Sequence, residues 1–345
     1  MKKIIFRIGK LGIMFLILLL LPVYVYADSD FDGVETETGF YYTVQQGDTL
    51  WDLSQRFNDS AWMWSDLWSQ NPQIRNPHII YPGQKIRLLL RQDIENFTKL
   101  ELMDNIFEQP RDEFFQEPVF YRYSPIESIG FILQIPLDPV ASILKAGEDK
   151  ELISTGDMVF IKHLKKDFFN IGDQYFTYQT ISPVIHPVTG KNLGTQYLFT
   201  GVVEITRVEP DFAVGKVVKT YRALQTGDYL MPYKARSPEI PITESRHGLY
   251  GNIVASQKLM RLFGDDTIVF IDKGSADGAK PGQIYPVFKQ DMVDIEGKHK
   301  EKVQLSPILL GTIIVLDTEE STSTVLITHA NQGIPLGAVF GIPLP

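Results

Sequence analysis

The chain has 345 residues, of which 44% are hydrophobic and 22% charged, a balance typical of a globular protein of two or three domains. Its formal net charge of −9 makes electrostatic binding of nucleic acid or anionic lipid unfavourable. It contains no cysteine, which excludes disulfides, thiolate metal sites and cysteine nucleophiles.

Residues 1–27 have the pattern of a secretory signal peptide. Four basic residues open the segment: Lys2, Lys3, Arg7 and Lys10. An apolar run over residues 11–21 follows, and Ala27 marks a cleavage position. Cleavage there predicts export to the periplasm, a net charge of −13 and no membrane contact in the mature protein. The alternative is an uncleaved membrane anchor, since the apolar run is near the lower length limit for a membrane span.

An acidic leader over residues 28–40 is predicted to be flexible, because it contains five acidic residues and few apolar ones. A module follows at residues 41–90. It opens with a short strand-like run and a turn at Gly47. Next, Leu50, Leu53 and Phe57 lie at the spacing of one helical face, behind a cap at Asp48 or Thr49.

The second half of the module has a second helical pattern, with Trp64, Leu67 and Trp68 on one face. Asn71-Pro72 ends this helix, since proline disfavours helical geometry in the residue before it. A Pro82-Gly83 turn and a strand-like run at residues 85–88 close the module. The predicted order is therefore strand, helix, helix, strand.

This segment resembles the LysM domain, a small carbohydrate-binding module of bacterial cell-wall proteins. The residues that carry the resemblance are Tyr42, Val44, Gly47, Asp48, Thr49, Leu50, Trp51, Leu53, Ser54, Asn71, Pro72, Ile80, Tyr81, Pro82, Gly83, Gln84 and Ile86. The Trp-rich middle at residues 59–68 is similar to a longer variant seen in proteins of Gram-negative bacteria. The resemblance implies non-enzymatic binding of peptidoglycan, an N-acetylglucosamine-containing polymer.

In the LysM family the saccharide lies in a shallow groove between the loop after the first strand and the loop before the second. Carried over to this chain, the glycan-binding residues are Gly47, Asp48, Thr49, Leu50, Trp51, Asn76, Pro77, His78, Ile79 and Ile80. Backbone amides in these loops would bind acetamido groups, and Leu50, Ile79 or Ile80 would supply an apolar wall. The alternative is that the first loop is only a turn and helix cap, with Leu50 in the core; both interpretations can hold together.

All four tryptophans of the chain lie in this module. Trp64 and Trp68 share a helical face with Leu67, so we predict that they belong to the core. Trp51 lies off the apolar stripe of the first helix, so we predict that it is exposed and is the best ligand candidate among the four.

Residues 91–118 form a predicted connector that is partly helical, because apolar residues recur there at helical spacing. From residue 119 onward, short β-branched and aromatic runs alternate with turns, which predicts β-structure.

An internal repeat organises the β-rich part. The run at residues 158–161 recurs at 268–271, a shift of 110. The same shift relates Gly172 to Gly282, Tyr175 to Tyr285, Gly201 to Gly311 and Gly227 to Gly337. Upstream, residues 130–133 match 251–254 with a shift of 121, which predicts an insertion near residues 136–151 of the first copy. A hairpin loop is predicted at residues 186–194.

These patterns predict β-rich repeats at residues 119–232 and 247–345, joined by a Pro-containing linker at 233–246. In glycine spacing and strand order the repeats resemble the C-terminal domain of flagellar-assembly proteins, which implies no chemistry. The predicted fold class is multi-domain: an α+β LysM-like module with βααβ order, followed by two all-β repeat domains.

No catalytic residue, metal site or cofactor is predicted. The six histidines lack the spacing of zinc sites, and no Gly-x-Ser-x-Gly motif is present. A lysozyme-like reaction would need a catalytic glutamate in a helical domain, whereas the larger part of the chain is predicted to be β.

Two functions remain open. In the first, the module anchors a periplasmic envelope protein on the cell wall, and the β-domains present a surface to another envelope protein. In the second, the chain is a structural assembly factor of an envelope machine of the flagellar or pilus type, and the module only localises it.

Overall fold

The computed structural model describes residues 38–88, 119–147, 152–164, 169–289, 292–294, 302–304 and 306–342. The predicted signal peptide at residues 1–27, most of the leader and the connector at 91–118 lie outside these ranges. Within them, the two α-helices belong to the module and most other regular structure is strand. A small mixed module followed by mostly β domains agrees with the predicted fold class.

The module has the predicted order of strand, helix, helix and strand. Its elements are β1 (Gly39–Thr43), α1 (Leu50–Asn58), a short 3-10 helix (Ala61–Met63), α2 (Trp64–Ser69) and β2 (Lys85–Arg87). β1 begins at Gly39, so the leader predicted at residues 28–40 extends too far. Phe40 already packs edge to face on Tyr121, with the ring centroids 4.7 Å apart.

The remaining strands form one group before residue 245 and one after it. The first group is β3 (Val119–Arg122), β4 (Phe131–Leu133), β5 (Ala141–Ala146), β6 (Met158–His163), β7 (Gln174–Ile185), β8 (Asn192–Val208), β9 (Phe212–Thr220), β10 (Tyr229–Pro232) and β11 (Glu239–Pro241). The second group is β12 (Tyr250–Ser256), β13 (Leu262–Phe263), β14 (Ile268–Ile271), β15 (Ile284–Lys289), β16 (Met292–Asp294), β17 (Lys302–Gln304), β18 (Ile308–Thr318), β19 (Ser323–Ala330), β20 (Ile334–Pro335) and β21 (Val339–Gly341).

Two strands from outside the module complete its sheet. The sheet has the order β11-β3-β1-β2, and each pairing is antiparallel. Phe120 of β3 lies opposite Tyr41 of β1, and their rings stack with centroids 5.6 Å apart. The Glu239 carboxylate of β11 lies 2.6 Å from Lys85 Nζ and 3.0 Å from Arg122 Nη1. Backbone hydrogen bonds and ion pairs therefore hold the module against the β-rich part.

This sheet corrects two predicted boundaries. β3 lies within residues 119–232, predicted as the first repeat, but it pairs with the module. β11 lies within residues 233–246, predicted as a linker, and it pairs with β3. Both boundaries are wrong for the same reason, because a local sequence pattern can identify a strand without identifying its partner.

Six strands of the first group close into a ring, here called the first barrel. Neighbouring strands follow the order β5-β6-β9-β8-β7-β10, and β10 pairs with β5 to close the ring. β4 pairs with β8 as an additional strand. The core of this barrel contains buried aliphatic residues, among them Val159, Ile161 and Val203.

The second group forms a closed second barrel with the order β12-β14-β19-β18-β15-β21. This order repeats that of the first barrel at chain positions about 110 residues later. The turn glycines share a left-handed backbone conformation, with φ of 91° at Gly172 and 87° at Gly282. Gly172 N donates to Ile205 O and Gly282 N to Val315 O, both at 2.8 Å. The two barrels therefore agree in strand order and in the hydrogen bonds of these turns.

The predicted match of residues 130–133 to residues 251–254, at a shift of 121, is wrong. The counterpart of β12 is β5, which lies 110 residues earlier, whereas residues 131–133 form β4 outside the ring. The insertion predicted near residues 136–151 is therefore absent from the described part of that range, which contains β5 itself.

β4 and the turn before it lie at the contact between the two barrels. The Thr322 and Thr324 hydroxyls donate to Ile132 O and Gly130 O, both at 2.8 Å. A buried cluster shared by both barrels lies beside these bonds and consists of Ile132, Val184, Val254 and Phe270. Both barrels therefore contact β4.

The predicted hairpin loop at residues 186–194 connects β7 to β8 and reaches the second barrel. His186 Nδ1 accepts hydrogen bonds from Val188 N at 3.1 Å and Thr189 N at 3.2 Å. Nε2 of His186 therefore carries the proton and donates to Asp272 Oδ2 at 3.1 Å. This histidine therefore forms a hydrogen bond between the two barrels.

β14 is continuously apolar because both of its faces are covered. Val269 and Ile271 belong to the core of the second barrel, and Phe270 packs in the cluster shared with the first barrel. Ile268 instead joins the core of the module. Other residues of the second barrel in the module's core are Ile284, Ile314, Leu316 and Leu326. One face of the second barrel is thus buried under the module.

Gly201 and Gly311 provide a matched test of the correspondence between the barrels. A Cβ at Gly201 would clash with Lys219 O, and one at Gly311 with His329 O, again 110 residues apart. We expect Gly201→Ala and Gly311→Ala each to lower the free energy of unfolding by about 1–3 kcal/mol, measured by chemical denaturation. Gly264→Ala is the control, since nothing lies within 4 Å of its added Cβ. Equal stability of all three variants would contradict this account.

Candidate functional site

The two loops predicted to bind glycan lie side by side. They lie within the segments here called the first loop (residues 44–51, which include the start of α1) and the second loop (residues 76–84). Val44 N donates to Gln84 O at 2.9 Å, and Gly83 N donates to Val44 O at 2.8 Å. These bonds continue the antiparallel pairing of Thr43 with Lys85, so both loops extend from the same end of the sheet.

The Asp48 carboxylate holds the first loop in shape through hydrogen bonds. Its Oδ2 accepts hydrogen bonds from Gln45 N at 2.6 Å and from the Tyr42 hydroxyl at 2.7 Å. Arg56 Nη1 also donates to the Tyr42 oxygen at 3.2 Å, and only 10% of the Asp48 side chain is exposed. Gly47 completes the turn with φ of 96°. The Asp48 carboxylate is thus used mainly to hold the loop, which matches the structural interpretation of this residue.

Thr49 and Leu50 lie at the start of α1, and both side chains take part in forming it. Thr49 is the N-cap: its hydroxyl accepts from Asp52 N at 3.1 Å and donates to Asp52 Oδ2 at 2.6 Å. Leu50 is only 2% exposed and packs in the module's core with Leu53 and Phe57. The prediction that Leu50 supplies an apolar wall is therefore wrong, because it belongs to the buried stripe of α1.

The second loop presents the exposed apolar surface of the site. Asn76 organises it, with its Oδ1 accepting from His78 N and its O accepting from Ile79 N, both at 3.1 Å. Ile79 is 48% exposed, whereas Ile80 is half-buried against the module's core. His78 is exposed, and Pro77 is half-buried. Of the three candidates for the apolar wall, Ile79 is the one that the fold leaves accessible.

Asn71 fixes β2 and therefore the far end of the second loop. Its side-chain amide donates to Leu67 O at 2.7 Å and to Arg87 O at 2.9 Å, and its Oδ1 accepts from Arg87 N at 2.8 Å. The side chain thus occupies hydrogen-bonding groups on the edge strand β2. This role was not predicted, since the sequence indicated only that Asn71-Pro72 ends a helix.

The tryptophans form two pairs. Trp64 and Trp68 stack at 6.4 Å and pack half-buried against the module's core, as predicted. Trp51 is 43% exposed, again as predicted, and its ring lies 4.9 Å from that of Trp62. Trp62 is 78% exposed, and the sequence analysis gave it no role. The short 3-10 helix that carries it has no apolar periodicity from which this exposure could be inferred.

Other chemistry has little support among the described residues. They contain no group of three or more His, Cys, Asp or Glu side chains that could hold a metal ion. A cleft of about 340 Å³ lies on the second barrel beside Arg246, Lys273 and Asp277. Within it Arg246 Nη1 donates to Asp277 O at 2.8 Å, and Lys273 pairs with the Asp277 carboxylate at 3.5 Å. The Asp277 carboxylate is thus paired with Lys273, and Arg246 is held by a backbone carbonyl group.

Comparison with known proteins identifies the module. Residues 42–88 match the family model of the LysM domain, and LysM domains bind peptidoglycan glycan chains. Over 57 residues the chain is 40% identical to the uncharacterized protein YqbP of Bacillus subtilis (strain 168). That match covers 14% of this chain and 26% of YqbP, so the chain spans about a quarter of that relative. In the part of the chain that the structure describes, no helix has the length and apolar character needed to cross a membrane.

The internal bonds of Asp48 predict a loss of stability on its removal. We expect Asp48→Ala to lower the free energy of unfolding by about 2–3 kcal/mol, because Gln45 N and the Tyr42 hydroxyl lose their acceptor. Gln46→Ala, in the same loop and exposed, is the control and should change stability by less than about 0.5 kcal/mol. Unchanged stability in Asp48→Ala, measured by urea denaturation, would show that the carboxylate does not hold the loop.

The raised pKa of Tyr42 leads to a second prediction, which concerns the pH dependence of stability. Burial, together with the hydrogen bond to Asp48, raises the pKa of Tyr42 from 10.0 to about 12. The unfolded chain loses this proton near pH 10 but the folded chain retains it, so the stabilisation is present below pH 10 and is lost as the pH rises to about 12. We expect the stability difference between the wild type and Tyr42→Phe to shrink over that interval. A difference that stays constant in denaturation curves at pH 9 to 12 would contradict this assignment.

Proposed function

We propose that this chain is a non-enzymatic protein that binds the glycan strands of peptidoglycan through the first and second loops of its LysM domain. The observation that carries the proposal is the pairing of the two loops at one exposed end of a module that matches the LysM family. The edge of the sheet beyond β1 is occupied by β3 and β11, whereas the loop end remains exposed at Gly47, His78 and Ile79.

The chemistry of the loops supports amino-sugar recognition. N-acetyl groups need both hydrogen-bonding amides and an apolar contact for the methyl group. The exposed backbone at Gly47 and the backbone carbonyl groups of the exposed residues His78 and Ile79 offer hydrogen-bonding groups, and the Ile79 side chain offers the apolar contact. Trp51 lies at the end of the first loop with part of its ring exposed. Asp48, Thr49 and Leu50 then act by holding the loop in shape.

We further propose that this binding anchors the protein at the cell wall after export to the periplasm. Two short loops give a small contact area, so the affinity of one module is expected to be modest. A dissociation constant near 1 mM corresponds to only about −4 kcal/mol. Retention would then depend on the many equivalent sites of the polymer or on several copies of the protein acting together.

The two barrels are proposed to be copies of one domain that present a surface to another envelope protein. The recurrence of strand order and turn hydrogen bonds at a shift of 110 supports the first part. Candidate contact residues for the second part are Leu152 and Leu262, which are 66% and 64% exposed at positions 110 residues apart. A role as an assembly factor of an envelope machine is the alternative and would use the same surfaces.

Glycan binding is tested best by a point substitution in the second loop. Deleting the module would remove the strand that pairs with β3 and expose the core that covers the second barrel. We therefore expect Ile79→Asp to lower the affinity of the purified protein for peptidoglycan sacculi by about tenfold, because a charge replaces the apolar contact. Co-sedimentation measures the fraction bound.

Ile135→Asp is the matched control, since Ile135 is 81% exposed and lies in the segment after β4, outside the module. It introduces the same charge and removes the same side chain. Equal pelleting of the two variants would remove the support for the loops as the binding site. The same suspension tests the non-enzymatic part, because a fall in its turbidity would reveal hydrolysis of the wall.

A further inference from the structure

Trp51 and Trp62 form an exposed aromatic pair on the surface of the module. Their ring centroids are 4.9 Å apart and their planes meet at 74°, an edge-to-face arrangement. Trp62 is 78% exposed and Trp51 43% exposed. Large aromatic side chains that remain accessible together usually mark a contact site, whereas single exposed apolar residues need no explanation.

Besides the ring contact with Trp51, hydrogen bonds of neighbouring residues hold the segment that carries Trp62 beside α1. Asp59, with φ of 53°, turns the chain at the end of α1. The Ser54 hydroxyl then donates to Ser60 O at 2.8 Å, and Ala61 N donates to Gln55 Oε1 at 3.1 Å. These bonds fix the start of the short 3-10 helix. The position of Trp62 is therefore set by its neighbours, and its ring is not needed to build the module.

The other two tryptophans show what a structural role looks like in this module. Trp64 and Trp68 pack against the core, and Trp68 Nε1 donates to Ile74 O at 2.6 Å. By contrast, most of the Trp62 ring faces solvent, which leaves its hydrophobic contribution to folding largely unused. The pair is thus available for an external ligand.

We propose that Trp51 and Trp62 form a second sugar-binding subsite that receives a ring of the same glycan strand held by the two loops. This inference rests on the proposed glycan binding. Trp51 directly follows Leu50 at the end of the first loop, so the pair continues the loop surface along α1. The apolar C–H face of a hexopyranose ring stacks on an indole without any charged partner. The edge-to-face contact with Trp51 keeps the Trp62 ring oriented for such stacking.

A subsite next to the loops has a specific consequence for ligand length. A short N-acetylglucosamine oligomer would fill the loops alone, whereas a longer one would also cover the aromatic pair. We expect Trp62→Ala to weaken binding of the hexasaccharide by about fivefold to tenfold, as for truncation of an aromatic hot spot, and to leave binding of the disaccharide unchanged. Trp62→Tyr should restore most of the lost affinity. Isothermal titration calorimetry measures each constant.

Three outcomes of this experiment distinguish the subsite from the proposed function. Ile79→Asp should weaken both oligomers, because it alters the loops. If the wild type binds the hexasaccharide and Trp62→Ala binds it equally well, the subsite is refuted and glycan binding by the loops stands. If the wild type binds neither oligomer nor sacculi, both proposals fail together. Near-identical circular dichroism and melting temperature of the Trp62 variants would show that the substitution acts on binding and not on folding.

Discussion

The antiparallel pairing of β1 with β3 is the interaction on which the arrangement of this protein depends. It joins a strand of the LysM domain to one that lies about 80 residues later, and β11 then extends the same sheet. The Glu239 carboxylate between Lys85 and Arg122 holds the outer strands together. With one edge of its sheet committed in this way, the module presents its loop end outward in a fixed orientation relative to both barrels.

Sequence reasoning predicted the module well because its signals are local. The helical stripe of Leu53 and Phe57 and the cap at Thr49 depend on residues only a few positions apart. It failed where a residue could serve two purposes. Leu50 matches a groove position of the family and also lies on the apolar stripe of α1. In the structure it is buried with that stripe. Trp62 was missed because the chain turns sharply at Asp59, and exposure after such a turn depends on three-dimensional packing.

In the β-rich part, too, local features could be predicted from the sequence and long-range pairings could not. The turn glycines at Gly172 and Gly282 could be identified from the sequence, since a turn with a left-handed backbone favours glycine. The partners of β3, β4 and β11 were not predictable, because pairing across a long sequence separation leaves no local pattern. The continuous apolar run of β14 did indicate burial on both faces. A strand whose four residues are all buried must be covered on both faces, here by the module and by the first barrel.

The isoleucine and leucine side chains that the second barrel contributes to the module's core limit how such a protein can evolve. A wall-binding unit that folds alone can be exchanged between proteins by recombination at its linkers. Here an exchange would leave Ile268, Ile284 and Ile314 facing water and would leave β3 without a neighbour. If the module binds glycan as proposed, adaptation to a different polymer is expected to proceed by substitutions on its exposed surface, without exchange of the module.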